Sequence, residues 1–285
     1  MISHSVDNVD SKVVVATARP VTPLSILVSQ LETTVTAIED TPYLPVKIAV
    51  RLQKALELAA GLDPYLEACT TEESAALRAI AHRTRTECWE KLFANGGTVC
   101  PLEQEMLSGH VEGQVLKMFV HMTRARRVLD IGMFTGYSAL AMAEALPLDG
   151  CLIACEVDSY AADFAQTLFH ESPHGSKIQV KLGPALTTLE RLATAQESFD
   201  LVFIDADKRE YIQYFQTLLD TSLLAPDGFI CVDNTLLQGQ VYLPEAERSP
   251  NAQAIAEFNQ VVKQDPRVEQ VLLPLRDGLT IIRRV

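Results

Sequence analysis

From Arg126 onward the chain alternates short apolar, β-branched runs with longer stretches of helical or turn-rich character. The runs are "RRVLDIG", "CLIACEVD", "KIQVKLG", "FDLVFIDAD", "GFICVDN", "VEQVLLPL" and "LTIIRR". The first five are separated by helical or turn-bounded segments. That alternation predicts βαβ units and a mostly parallel sheet covered on both faces. The last two are joined by a short Asp277–Gly278 turn, a hairpin signal, so the sheet is expected to end in an antiparallel strand. A helix is predicted over about Val111 to Thr123, just before the first run. The fold class is therefore α/β, a doubly wound, mostly parallel sheet with an antiparallel last strand.

The front of the chain reads differently. From Val21 to about Asn95 the pattern is helical. Leu24, Leu27, Val28 and Leu31 share one helical face, as do Leu52, Leu56 and Ala59 before "GLDP" interrupts the run. "TTEES" has the form of a capping box, with Thr70 as N-cap and Glu73 three residues on, opening a helix through Ala76, Leu77 and Ile80. Residues 1–20 have no periodicity and are expected to be a mobile arm. Residues 21–100 form an N-terminal helical region, a lid or a dimer surface, and residues 101–285 the α/β domain.

Composition narrows the function class. The chain has 285 residues, 48% of them hydrophobic, and carries 24 basic against 37 acidic side chains, a net charge of −13. Nucleic-acid affinity rests on Lys and Arg neutralising phosphates, so a nucleic-acid partner is disfavoured. No apolar run approaches the roughly 20 residues that span a bilayer. Met1 to Ser11 is polar and acidic, unlike a signal peptide. The six cysteines contain no CxxC pair and are expected to be reduced thiols of a cytoplasmic protein.

In an open α/β sheet, ligands bind beyond the carboxyl ends of the strands. After the first strand comes "DIGMFTGYS", with Asp130 and then Gly132 and Gly136 before a helix. Glycine permits a tight turn and close backbone approach, although "GMFTG" is not the GxGxxG pattern. The second strand ends at Glu156, where an acid usually accepts hydrogen bonds from a ribose diol. This predicts a nucleoside cofactor without choosing one. The fourth and fifth strands end at Asp205 and at Asp233–Asn234. Side by side they would offer two carboxylates and an amide oxygen, a hard-oxygen set that suits Mg²⁺. Lys208 stands three residues past Asp205, within reach of the same place. A dehydrogenase needs no such oxygens, whereas a bidentate hydroxylated substrate does.

These residues resemble a family. "VLDIGMFTGYSALAMAEALP", "ACEVDSY", "FDLVFIDADKREY", "LLAPDGFICVDNT" and "DGLTIIRR" are similar to the cation-dependent O-methyltransferases of the caffeoyl-CoA and catechol type, class I S-adenosylmethionine enzymes. The resemblance runs in order from about Leu102 to Val285. The front segments "ARPVTPLSIL", "AAGLDPYLEACTTEES" and "LEQEMLSGH" look like the cyanobacterial mycosporine-pathway branch, whose members convert demethyl-4-deoxygadusol to 4-deoxygadusol. The resemblance implies roles by position. Asp205, Asp233 and Asn234 match metal ligands, and Lys208 matches a base or charge stabiliser. Ser108, Asp130, Gly132, Ser138, Glu156, Ala185 and Asp205 match cofactor contacts, with Glu156 on the ribose, Ser108 near the methionine moiety and Ala185 beside the adenine. Asp277 matches a substrate-facing aspartate. A homodimer is implied as well. The plant enzymes recognise a CoA thioester partly through a basic residue near the N-terminus, a segment replaced here by a different helical region.

The expected activity is thus S-adenosylmethionine- and Mg²⁺-dependent O-methyl transfer to a small vicinal hydroxy or enol substrate, with a catechol or other phenolic diol as the alternative. An RNA methyltransferase on the same fold is disfavoured by the charge. A non-catalytic cofactor-binding regulator would have no use for the Asp205, Lys208, Asp233, Asn234 set. Local readings compete at single positions. Asp277 precedes Gly278, where turn chemistry alone favours Asp, and Asp207 is expected to cap the next helix. The histidines are expected to be structural or solvated. Phe134 and Tyr137 either line the cofactor or pack, and "LLQGQVY" is expected to be a substrate-covering loop.

Overall fold

The computed structural model describes residues 18–39 and 45–285. Five helices come first: α1 (Pro23–Glu39), α2 (Val46–Ala60), α3 (Leu62–Cys69), α4 (Ala75–Thr86) and α5 (Trp89–Ala94). Then follow α6 (Gly109–Thr123), β1 (Arg127–Ile131), α7 (Tyr137–Ala145), β2 (Cys151–Glu156), α8 (Ser159–Phe169) and β3 (Ile178–Leu182). The chain continues through α9 (Ala185–Thr194), β4 (Phe199–Ile204), α10 (Tyr211–Asp220), β5 (Leu224–Val232), α11 (Pro250–Gln264), β6 (Val268–Leu273) and β7 (Leu279–Arg284). Each of the seven apolar runs forms a strand.

The strands make one sheet in the order β3-β2-β1-β4-β5-β7-β6. β1 to β5 pair in parallel, while β7 lies antiparallel between β5 and β6. The expected α/β architecture with an antiparallel last strand is the one that forms. Chain order reverses between β1 and β4, and the crevice at such a switch point is where an open α/β sheet binds ligands.

Alternate residues of each strand face opposite layers, so β4 feeds both cores. Leu201 and Phe203 pack with Leu77, Ile80, Leu116, Leu140 and Phe169 under α4 and α6 to α8. Val202 and Ile204 pack with Leu189, Tyr211, Phe215 and Phe258 under α9 to α11. α4 is thus part of the sheet's own core, whereas α2 and α3 bury no residue.

The helix start in "TTEES" differs from expectation. The N-cap of α4 is Ser74, whose hydroxyl accepts from Leu77 N at 3.1 Å. Thr70 instead closes α3, its hydroxyl donating to Leu66 O at 2.7 Å. Thr70 and Ser74 lie four residues apart, and the end of the preceding helix takes the first. Of the expected arm, residues 1–17 lie outside the described residues. Arg19 is held, its backbone N–H donating to Glu105 at 2.9 Å and its Nε to Glu103 at 3.0 Å.

Candidate active site

The end of β1 builds one half of the site. Gly132 and Met133 both donate to Cys155 O, at 3.1 and 3.0 Å, which bends the chain off the strand toward β2. Gly132 has φ +96° and lies so close to the end of β4 that a Cβ there would come within 2.1 Å of Asp205 O. No other residue fits. Asp130 is completely buried, with Oδ2 accepting from Ser138 Oγ at 2.8 Å and Oδ1 without a partner. Burial pushes its carboxyl up to about 8. A buried acceptor with no donor points to a missing ligand group. Glu156, at the end of β2, accepts from Phe134 N at 2.7 Å through Oε2 and from Val157 N and Asp158 N through Oε1. Burial raises its carboxyl, and those three backbone donors oppose the rise. Ser108 is buried just before α6, and Ala185 is the first residue of α9, half-buried beyond β3. Tyr137 is buried in the core with its hydroxyl bonded to Glu73, so it packs. Phe134 lies 5.1 Å from the Trp89 ring.

The ends of β4 and β5 build the other half. Ile204 pairs with Val232 in parallel register, so the following residues, Asp205 and Asp233, stand side by side. Asp233 is buried, and burial together with the neighbouring Asp205 charge pushes it up to about 7. Asn234 adopts φ +59°. Its backbone N–H and its Nδ2 both donate to the Asp233 carboxylate, at 2.6 and 3.2 Å, which leaves the amide oxygen available. Lys208 Nζ lies 2.8 Å from Asp205 Oδ1 and 5.3 Å from the Tyr211 ring centre. Burial alone would lower the lysine pKa, but the Asp205 charge and the Tyr211 contact outweigh it and keep Lys208 an ammonium. Among the described residues no three His, Cys, Asp or Glu side chains are arranged to hold a metal. The expected set has only two carboxylates, with an amide as third donor. Two repelling carboxylates beside an amide oxygen are chemically suited to a hard cation.

Asp277 lies in the turn closed by Gly278 N donating to Leu275 O at 2.8 Å. Its own side chain turns inward. Oδ1 accepts from Gln238 N at 2.5 Å, and Oδ2 stands 3.5 Å from Asn234 Nδ2. Burial raises its carboxyl to about 6. Asp207 caps the turn after β4, accepting from Arg209 N at 3.0 Å. His110 bonds Thr71 O, and His174 bonds Lys177.

Two residues escaped the sequence reading. Glu112 of α6 is 1% exposed, and neither carboxylate oxygen has a hydrogen-bond donor. Burial and then the Asp233 charge hold it well above the usual carboxylate range. Arg276 reaches it across the site, its Nη1 standing 3.4 Å from Oε2. The signal for Glu112 was its place on the buried face of α6, in line with Leu116 and Val120 at i+4 and i+8. Nothing in the sequence marks Arg276.

Residues 83–285 match a family model described as O-methyltransferase. The caffeoyl-CoA O-methyltransferase 2 of Zea mays is 38% identical over 182 residues, covering 61% of this chain and 68% of that protein. Among solved structures, the SAH-bound Podospora anserina methyltransferase PaMTH1 superposes with a TM-score of 0.69 at 28% identity, covering 80% of this chain and 96% of its own. The Streptomyces achromogenes O-methyltransferase TomG, of tomaymycin synthesis and in complex with SAM, gives 0.66 at 26% identity, with 79% and 96% covered.

Proposed function

The chain belongs to the cation-dependent O-methyltransferase family of the caffeoyl-CoA and catechol type and is an S-adenosylmethionine-dependent enzyme, and from that premise we propose that it uses Mg²⁺ to methylate a small molecule bearing two adjacent hydroxy or enol oxygens. The observation that carries this reading is the pairing of Asp205 with Asp233 at the ends of neighbouring strands, with Asn234 and Asp277 beside them. Asp205, Asp233 and Asn234 would hold the cation. When bound there, a divalent ion supplies Lewis-acid stabilisation of the substrate oxyanion.

The cofactor supplies a methyl group on a positively charged sulfur. Ser108, Asp130, Gly132, Ser138, Glu156, Ala185 and Asp205 would bind it, with Asp130 Oδ1 offering an acceptor that the protein itself leaves unused. Their task is alignment, since an in-line displacement held in near-attack geometry can gain on the order of 7–11 kcal/mol. Lys208, an ammonium beside Asp205, steadies negative charge on the attacking oxygen, whose own proton passes to solvent. Asp277 faces the same space and would contact the substrate.

Within this class the front-segment motifs favour demethyl-4-deoxygadusol, with catechol or another phenolic diol as the second reading and a homodimer as the working assembly. The test is methyl transfer with labelled cofactor, both substrates side by side, using enzyme stripped of metal and then resupplied with Mg²⁺. Activity that vanishes on stripping and returns with Mg²⁺ supports the reading. Full activity in the metal-free enzyme overturns it, and turnover of catechol alone moves the substrate to the second reading.

A further inference from the structure

The stretch from Val99 to Ser108, on the way from α5 to α6, has one short turn of 3-10 helix (Gln104–Met106) as its own secondary structure. Most of it is half-buried or exposed, and its buried side chains are Leu102 and Ser108. Side chains from elsewhere hold it in place. At its start, Val99 N donates to Asp158 Oδ2 at 2.6 Å. Asp158 is 1% exposed and lies just past the end of β2. Leu102 packs with Trp89 and with Ala161 of α8. At the other end, Leu107 O accepts from Arg276 Nη1 at 3.0 Å. Gly109 confines that guanidinium, since a Cβ there would come 3.0 Å from Nη1. Arg276 belongs to the turn between β6 and β7, and β7 begins beside the carboxyl end of β5, with Thr280 opposite Val232.

The two anchors therefore stand at β2 and at β5–β7, with β1 and β4 between them in the sheet. Neighbouring strands lie about 4.8 Å apart, which puts the anchors on the order of 15–20 Å from each other. The chain from Val99 to Leu107, its turn of 3-10 helix included, reaches on the order of 20–25 Å. It has little slack, so it runs along the carboxyl edge of the sheet, past the strand ends that carry Asp130, Gly132 and Asp205. Between the anchors Arg19 holds Glu103 and Glu105.

We infer that Val99–Ser108 is a strap latched across the cofactor site by Asp158 and Arg276, and that release of this latch sets how fast S-adenosylmethionine enters and S-adenosylhomocysteine leaves. The inference rests on the proposed reading of Ser108, Asp130, Gly132 and Glu156 as cofactor contacts. Asp158 and Arg276 are positioning residues, acting on the cofactor through the strap.

The experiment is S-adenosylhomocysteine binding to the full chain, its association and dissociation rates read by surface plasmon resonance, with wild type, Asp158→Asn, Arg276→Gln and Glu156→Gln. Asp158 also caps α8, its Oδ1 accepting from Ala161 N at 3.0 Å. Asparagine caps a helix as well as aspartate does, so Asp158→Asn keeps that bond. The amide nitrogen that replaces Oδ2 has no acceptor to offer Val99 N. A hydrogen bond to a charged acceptor is worth about tenfold or more in an equilibrium. Asp158→Asn is therefore expected to raise the dissociation rate about tenfold. The association rate rises with it by a smaller factor, because a strap already open admits the ligand no faster. A wall that merely touches the cofactor would speed dissociation and leave association unchanged or slower. Arg276→Gln falls short of Leu107 O and is expected to move both rates in the same direction. If that variant does not fold, Asp158→Asn decides alone. Unchanged rates in either folded latch variant, or faster dissociation without faster association, overturn the inference and leave the cofactor site standing. Wild-type affinity in Glu156→Gln overturns the cofactor-site reading, and this inference with it.

Discussion

At the scale of single residues, the site is a set of charges whose burial decides their work. Lys208 shows this most directly. Its partner Asp205 lies 2.8 Å away, and in the metal-free chain that charge favours the ammonium form, which suits Lys208 to steadying an oxyanion. Lys208→Ala is expected to lower kcat by about 10²–10³, the cost of losing one preorganised donor to developing charge. The cofactor Kd, read by calorimetry, should move only a few-fold; an unchanged kcat would take Lys208 out of the chemistry. Asp130 makes a different prediction. Burial lifts it to about 8 in the folded chain, against about 3.9 when unfolded. The folded state therefore binds its proton more tightly than the unfolded state does. The resulting stability is fully present below about pH 4 and is lost as pH rises toward 8. Asp130→Asn removes that titration. In ligand-free protein the Tm of the variant relative to wild type should rise between about pH 5 and pH 8.5. A pH-independent difference would show that Asp130 carries no such burden.

At the scale of elements, the turn from β1 into α7 fixes the distance between the two halves of the site. Gly132 touches the end of β4, and an added methyl would meet Asp205 O at 2.1 Å and Ala206 Cβ at 2.9 Å. Gly132→Ala must therefore displace the strand end that carries Asp205, besides placing alanine at φ +96°. Overpacking and backbone strain together should cost about 2–4 kcal/mol in denaturant unfolding, with cofactor affinity lost in step. A stable variant with weakened cofactor binding only would show that the contact to β4 can relax. These elements were legible because parallel strands buried on both faces read as continuous apolar runs. The carboxylates at their ends were legible because each follows such a run directly. The cap of α4 was misplaced because "TTEES" offers three hydroxyls, and only the folded end of α3 decides among them. Asp277 stayed ambiguous for a related reason: an Asp before Gly satisfies a turn, and its inward aim onto Gln238 N depends on a loop some 40 residues earlier in the chain. Glu112 and Arg276 meet across 164 residues, a contact that no local pattern encodes.

At the scale of the whole molecule, burial places the edge of the cooperative unit at α4. Leu77, Ile80, Ala81 and Thr84 of α4 are buried, the first three in the core beneath the sheet. Trp89 of α5 packs on Phe134 in the turn after β1. α2 and α3 bury nothing, and the match to the family begins at residue 83, inside α4. Each large core side chain lost costs about 2–5 kcal/mol, against a total stability of about 5–15 kcal/mol. A chain beginning at Thr70 should therefore keep a cooperative thermal transition within a few degrees of the full chain. A chain beginning at Pro101, without α4 and α5, should lose that transition altogether. Circular dichroism melts of the two truncations separate these outcomes, and wild-type melting of the shorter one would mean that α4 only leans on a core complete without it. The longer truncation also tests the front of the chain for function. Arg19 holds Glu103 and Glu105, a few residues before Ser108. Once that tie is cut, KM for the cofactor should rise while the melt stays intact, and an unchanged KM would assign the front helices no part in forming the site.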